Sequence, residues 1–126
     1  MIFGIGTDIV RIKRMADSLQ RHGDKFAERI LSAEEMAVFQ KSENRAHYLA
    51  KRFAAKEATS KAMGTGFRNG LSLRHISVSN DDKGKPVLRF SEQAAQFMQE
   101  HNIVESHVSL ADENEYAVAF VTLVKK

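Results

Sequence analysis

Between Arg45 and Met63 the chain contains no proline or glycine, and alanine recurs at positions 46, 50, 54, 55, 58 and 62. A stretch so rich in the best helix former predicts a helix, closed by Gly64. At about 100° per residue, Ala46, Leu49, Phe53, Ser60 and Met63 share one stripe, with Lys56 inside it and Glu57 on its edge. The other faces carry mainly small alanines, so neighbouring elements can approach this helix closely from several sides. An ion held in such surroundings is costly unless it is paired or binds a metal. Glu57 and Lys61 stand four apart, which by itself describes an ordinary helix ion pair contributing about 0.2–0.5 kcal/mol. Charges placed where a helix normally puts apolar side chains also fit a site, and both readings are open here.

A chain of 126 residues with 43% hydrophobic content can bury one real core, so a single domain over 1–126 is expected. It has no cysteine, which excludes disulfides, thiolate nucleophiles and cysteine-based metal centres and fits a reducing compartment. The opening Met-Ile-Phe-Gly-Ile-Gly-Thr-Asp lacks the basic leader and apolar segment of a signal peptide, and no run is long enough to span a bilayer. A soluble cytoplasmic protein is expected. The net charge of +3 and pI near 9.3 suit a phosphate-rich or acidic partner.

Residues 2–10 read as a strand rich in β-branched and aromatic types. By the two-residue period Gly4, Gly6 and Asp8 share a face, which sets a carboxylate beside a patch of bare backbone that a helix or a ligand can approach. Asp8 could equally cap the helix that follows. That helix, Arg11 to Arg21, gathers Ile12, Met15, Ala16 and Leu19 on one side and Arg11, Arg14 and Arg21 on another; a second, Asp24 to Leu31, adds Lys25 and Arg29. Their basic face fits solvated surface or a dock. Ser32-Ala33-Glu34-Glu35 has the form of a capping box, and Ser42 and Asn44 are candidate caps for the central helix.

The loop Gly64 to Gly70 has enough glycine for backbone to approach a phosphate, although it follows a helix instead of opening one. His75–Ser79 and Pro86–Phe90 form a predicted hairpin around a polar turn at 80–85. Ser91 should cap a helix through Ala94, Ala95, Phe97 and Met98. A second strand pair, His107–Leu110 and Tyr116–Val124, follows, its last strand apolar on both faces and therefore expected to be buried. The fold class is α+β, a small, largely antiparallel sheet packed with helices.

Asp8 at a strand end and Glu57 on a helix, with lysines beside the second, make a plausible Mg²⁺ and phosphate site, because Mg²⁺ takes one or two carboxylates and completes its shell with water and substrate phosphate. Gly4-Ile5-Gly6-Thr7-Asp8 and Phe53-Ala54-Ala55-Lys56-Glu57-Ala58-Thr59-Ser60-Lys61 closely resemble, in order and separation, the two signature motifs of the 4'-phosphopantetheinyl transferases. With its short length the chain is similar to the acyl-carrier-protein synthase group of that family, and the resemblance extends to Gly84-Lys85-Pro86, His107–Leu110 and Tyr116-Ala117. It implies transfer of phosphopantetheine from coenzyme A to a serine of an apo acyl carrier protein, with release of adenosine 3',5'-bisphosphate. It implies Asp8 and Glu57 as metal ligands, with Glu57 and Lys61 acting in catalysis, Lys61 holding the transferred phosphate. Lys56, Gly64, Lys85 and Pro86 become expected coenzyme A contacts, Lys56 toward the nucleotide end or as a residue that orders Glu57. Some family members have histidine where Asp112 stands, so the base expected here is a metal-ordered water, or Glu57 through a water.

The longer transferases of the family are pseudo-duplicated, with the site between halves, so the resemblance implies a homotrimer with sites between subunits. Its acidic carrier protein would dock on Arg14, Arg21 and Lys25, and neither nucleic acid nor membrane is an expected partner. A competing reading from another class, a small basic nucleic-acid-binding module, fits the pI but leaves Asp8 and Glu57 without a role.

Overall fold

The computed structural model describes all of residues 1–126. Strand β1 (Ile2–Arg11) leads into α1 (Ile12–His22), a short α2 (Asp24–Glu28), α3 (Ala33–Lys41) and the long α4 (Arg45–Met63). Two short strands, β2 (Ile76–Asn80) and β3 (Pro86–Phe90), precede α5 (Glu92–Glu100), β4 (Ile103–Asp112) and β5 (Tyr116–Lys125). This is the expected α+β arrangement, with every strand pair antiparallel. The strands form two sheets, a three-stranded one in the order β1-β5-β4 and the separate β2-β3 hairpin.

Helix α4 lies across β1 and β5, and the sequence explains how closely. A Cβ built on Gly4 would lie 2.0 Å from the Ala62 carbonyl oxygen, and one on Gly6 would lie 1.9 Å from that of Ala58. Only glycine leaves room for helix backbone to rest on strand backbone. Beneath the same helix β5 buries Ala117, Ala119, Val121 and Leu123. Almost the whole circumference of α4 is covered, including Tyr48, Arg52, Lys56, Thr59 and Ser60, so it is a central element and not a surface amphipath. Gly64 ends it in the left-handed region (φ 81°), its amide donating to the Ser60 and Lys61 carbonyls.

Several local expectations are corrected. The face of β5 that bears Val118, Phe120 and Thr122 is left uncovered, Phe120 being 46% exposed, so within one chain the strand is buried on one side only. The helix expected over 24–31 ends at Glu28. From there the chain turns inward to bury Ile30 and Leu31 before Ser32 begins α3. The Ser32–Glu35 capping box forms in both directions, Glu35 N donating to Ser32 Oγ and Ser32 N to Glu35 Oε1. Neither Asn44 nor Ser91 caps through its side chain. Ser42 Oγ instead accepts from Asn44 N, and Ser91 Oγ donates to the His75 carbonyl. His75 belongs to a 3₁₀ turn at Leu73–His75, where its Nδ1 accepts from Ser72 N, so β2 begins one residue later than expected. No helix is long and apolar enough to cross a membrane.

Candidate functional site

The close seat of α4 on β1 brings together residues some fifty positions apart. Lys61 Nζ donates to Asp8 Oδ1 at 3.0 Å and to the Thr7 carbonyl at 3.0 Å, while its own side chain remains 53% exposed. Asp8 is 17% exposed and does not cap α1, because β1 runs on to Arg11 before that helix starts. The ordinary pair of Glu57 with Lys61 is also not formed; Lys61 reaches across to the strand instead.

Glu57, half-buried one turn before Lys61, has its carboxyl held above the usual range. Burial is the main cause and the nearby Asp8 charge the next, partly opposed by the cations of Lys61 and Arg14. The Asp8 carboxylate is thus close enough to disfavour ionisation of Glu57, with an ammonium at its edge. No group of three or more His, Cys, Asp or Glu side chains stands ready to cage a metal by itself. A hard cation that takes one or two carboxylates and fills its shell from water and a substrate phosphate matches this donor set, and its charge would relieve the repulsion between Asp8 and Glu57. On these grounds the residues present fit Mg²⁺.

Lys56 requires a correction. Its side chain is fully buried, and its ammonium donates to Glu35 Oε1 at 2.6 Å, to the Ile76 carbonyl at 2.6 Å and to the Leu73 carbonyl at 3.0 Å. Three donors meet three acceptors, so nothing remains for a nucleotide, and the polar partner is Glu35 in place of Glu57. Burial lowers the Lys56 pKa, with the Glu35 carboxylate pulling the other way. Glu35 is legible only as the closing residue of a capping box, three after Ser32; its partner lies 21 residues on, and nothing in the local pattern signals that pairing.

The other expected site residues divide by position. Gly64 is exposed at the end of α4, three residues beyond Lys61 and seven beyond Glu57. Lys85 and Pro86 close the β2-β3 hairpin, Pro86 opposite Asn80, and the Asn80 side chain accepts from Arg52. Arg52 precedes Glu57 by five residues and Lys61 by nine on α4, so that hairpin end lies roughly 8 Å back along the helix from Glu57 and roughly 13 Å from Lys61. One chain does not bring them together. Arg14 stands beside the site, its guanidinium 5.5 Å from the Phe53 ring centroid and its charge acting on Glu57. Arg21 follows two turns later on α1 and Lys25 on α2, both exposed. Asp112 is exposed and sits 3.8 Å from Lys51.

Comparison with known proteins places this geometry in context. Residues 4–121 match the family described as the 4'-phosphopantetheinyl transferase superfamily. A holo-[acyl-carrier-protein] synthase of Halorhodospira halophila is 52% identical over 124 residues, 98% of either chain. The crystal structure of the holo-[acyl-carrier-protein] synthase from Neisseria meningitidis superposes with a TM-score of 0.94 at 42% identity, covering 99% of this chain and all of that one. The Bacillus anthracis synthase, solved in complex with CoA (3',5'-ADP), gives a TM-score of 0.83 at 40% identity over 100% of this chain and 99% of its own.

Proposed function

The chain belongs to the 4'-phosphopantetheinyl transferase superfamily, and from that membership we propose that it transfers 4'-phosphopantetheine from coenzyme A to a serine of an apo acyl carrier protein. The observation that carries this reading to the residues is the meeting of Asp8, Glu57 and Lys61 across the bare backbone of Gly4 and Gly6. In the reaction the serine oxygen attacks the phosphorus that bears the pantetheine. The bond from that phosphorus to the bridging oxygen breaks, adenosine 3',5'-bisphosphate leaves, and the serine proton passes to a base.

Asp8 and Glu57 are the residues that would hold Mg²⁺, whose chemistry is to neutralise charge on the pyrophosphate as the leaving group departs. The Lys61 side chain is 53% exposed, and its ammonium is held by the Thr7 carbonyl as well as by Asp8. It can turn from Asp8 to the transferred phosphate and act there as a point charge. Glu57, working through a water, is the candidate to receive the serine proton. Gly64 offers backbone to coenzyme A at the end of α4.

A homotrimer accounts for two observations at once. The outer face of the three-stranded sheet presents Ile5 (58% exposed), Ile9 (62%) and Phe120 in one apolar patch that a second copy would cover. Lys85 and Pro86, remote from the acidic pair of their own chain, would then complete the coenzyme A site of a neighbour. The exposed basic residues Arg21 and Lys25, continuing from Arg14 at the edge of the site, offer a dock for an acidic carrier. The absence of cysteine suits action in the cytoplasm. Intact-mass measurement of an apo acyl carrier protein incubated with this protein, coenzyme A and Mg²⁺ tests the reading. One added phosphopantetheine is expected, dependent on all three components, and an unchanged carrier mass would refute it.

A further inference from the structure

Two of the surfaces through which the buried helix α4 meets its neighbours are unlike. Toward β1 it presents Ala58 and Ala62 against Gly4 and Gly6. That contact allows very close approach, but small residues provide no ridges to seat in grooves, so it does little to fix the rotation of the helix about its axis or its slide along the strand. On another face, about 100° round from Glu57, Lys56 is tied by three directional bonds to Glu35 and to the carbonyls of Leu73 and Ile76.

Glu35 is held just as firmly. Oε1 accepts from Ser32 N at 2.9 Å as well as from Lys56, and Oε2 accepts from Val78 N at 2.8 Å. Only 2% of the residue is exposed. One buried ion pair therefore connects the start of α3, the middle of α4, the 3₁₀ turn and β2. Stability alone gives weak grounds for such a pair, because apolar residues of similar volume often do as well or better. What three directional bonds add to apolar packing is a preferred rotational setting.

We propose that the Glu35–Lys56 pair sets the rotation and register of α4 so that Glu57 faces Asp8, making Glu35 and Lys56 positioning residues of a site that neither touches. The inference rests on the reading of Asp8 and Glu57 as a divalent-metal site. Loss of the pair leaves α4 packed on its glycines and apolar neighbours but loosens its rotational setting, and the convergence of the two carboxylates is weakened.

The test combines Lys56→Met with Glu35→Gln. This exchange removes both charges and keeps volume, while the amide still offers an acceptor to the Ser32 or Val78 N–H and a donor to the carbonyls that Lys56 leaves. The probe is Mn²⁺, with free metal counted by electron paramagnetic resonance, alongside thermal melting and steady-state kinetics. We expect a folded protein whose Mn²⁺ affinity is about tenfold weaker, in line with the loss of outer-shell partners at other metal sites, and whose kcat falls while the KM for coenzyme A holds. Glu35→Asp keeps both charges but shortens the reach by one methylene, and is expected to weaken Mn²⁺ binding several-fold. Leu88→Ala, which opens the core under the β2-β3 hairpin, should lower the melting temperature and leave Mn²⁺ affinity alone. Wild-type affinity in the folded double variant would overturn the proposal; should that variant not fold, wild-type affinity in Glu35→Asp would overturn it equally. If the wild type itself binds no Mn²⁺, the metal reading fails first and takes this inference with it.

Discussion

Glu57 is held in an ionisation state its surroundings oppose. Its folded pKa lies above the ordinary 4.5, chiefly through burial and then through Asp8. What this group contributes to stability is therefore fully present below that value and is lost as pH rises through its folded pKa, so near neutrality the ionised side chain works against the fold. Glu57→Gln keeps the shape and removes the charge. It is expected to melt at or slightly above the wild type in metal-free buffer while transfer falls by at least a hundredfold, the trade between stability and activity that strained sites show. Asp8→Asn should be equally inactive and should also melt no lower than a degree or two below wild type, a tolerance set by the roughly 4–8 °C that 1 kcal/mol moves a small domain. Calorimetry and the carrier mass assay on the same preparations check both, and a variant that kept near-normal turnover would remove its residue from the site.

At the scale of elements, the contact between β1 and α4 is the one the site depends on. Gly6→Ala does not strain the strand backbone, but its methyl would meet the Ala58 carbonyl and the Ala62 amide, and backbone cannot swing aside as a side chain can. Overpacking usually costs about 1–3 kcal/mol. Here we expect the upper end of that range or more, read as a fall in the urea midpoint with the slope unchanged. The basic pair of helices carries a separate prediction. Reversing Arg14 would add a negative charge beside Asp8 and Glu57, so docking is better probed with Arg21→Glu and Lys25→Glu together. Exposed ion pairs contribute about 0.2–1 kcal/mol each. The double variant should therefore raise the KM for the carrier by roughly threefold to tenfold at low salt, spare that for coenzyme A, and flatten the salt dependence of the rate; equal rises for both substrates would return this face to plain solvated surface.

Much of this architecture was legible because it is local. The two-residue period on β1 puts Gly4, Gly6 and Asp8 on one face, alanines mark α4, and Ser32 with Glu35 announces α3. What the sequence does not disclose is pairing at a distance. Lys56 looked like a site lysine because charge inside an apolar stripe has two explanations, a ligand or a buried partner, and Glu35 is hidden within a motif that already explains it. Likewise the apolar outer face of β5 reads as buried core, since the sequence records that a face is apolar and is silent on whether it is covered from within the chain or by another molecule.

For the molecule as a whole, that uncovered face is where the proposed trimer would join. Phe120→Asp places a charge in its centre without touching the α4 side of the sheet. Light scattering should show the mass fall from three chains to one, with transfer activity lost and the melting transition of the single chain retained; a wild type that is monomeric and fully active would refute the assembly. The strand order has another consequence, for birth on the ribosome. β1 is made first, yet it pairs only with β5, and Thr7 donates to Ala119, 112 residues later. Pairing at that separation is slow to nucleate. Throughout nearly all of translation the emerging chain carries a strand with Ile2, Ile5 and Ile9 outward and bare glycine inward, its edge unsatisfied, so a nascent chain stalled before Tyr116 should be digested by protease within a region that the finished protein shields.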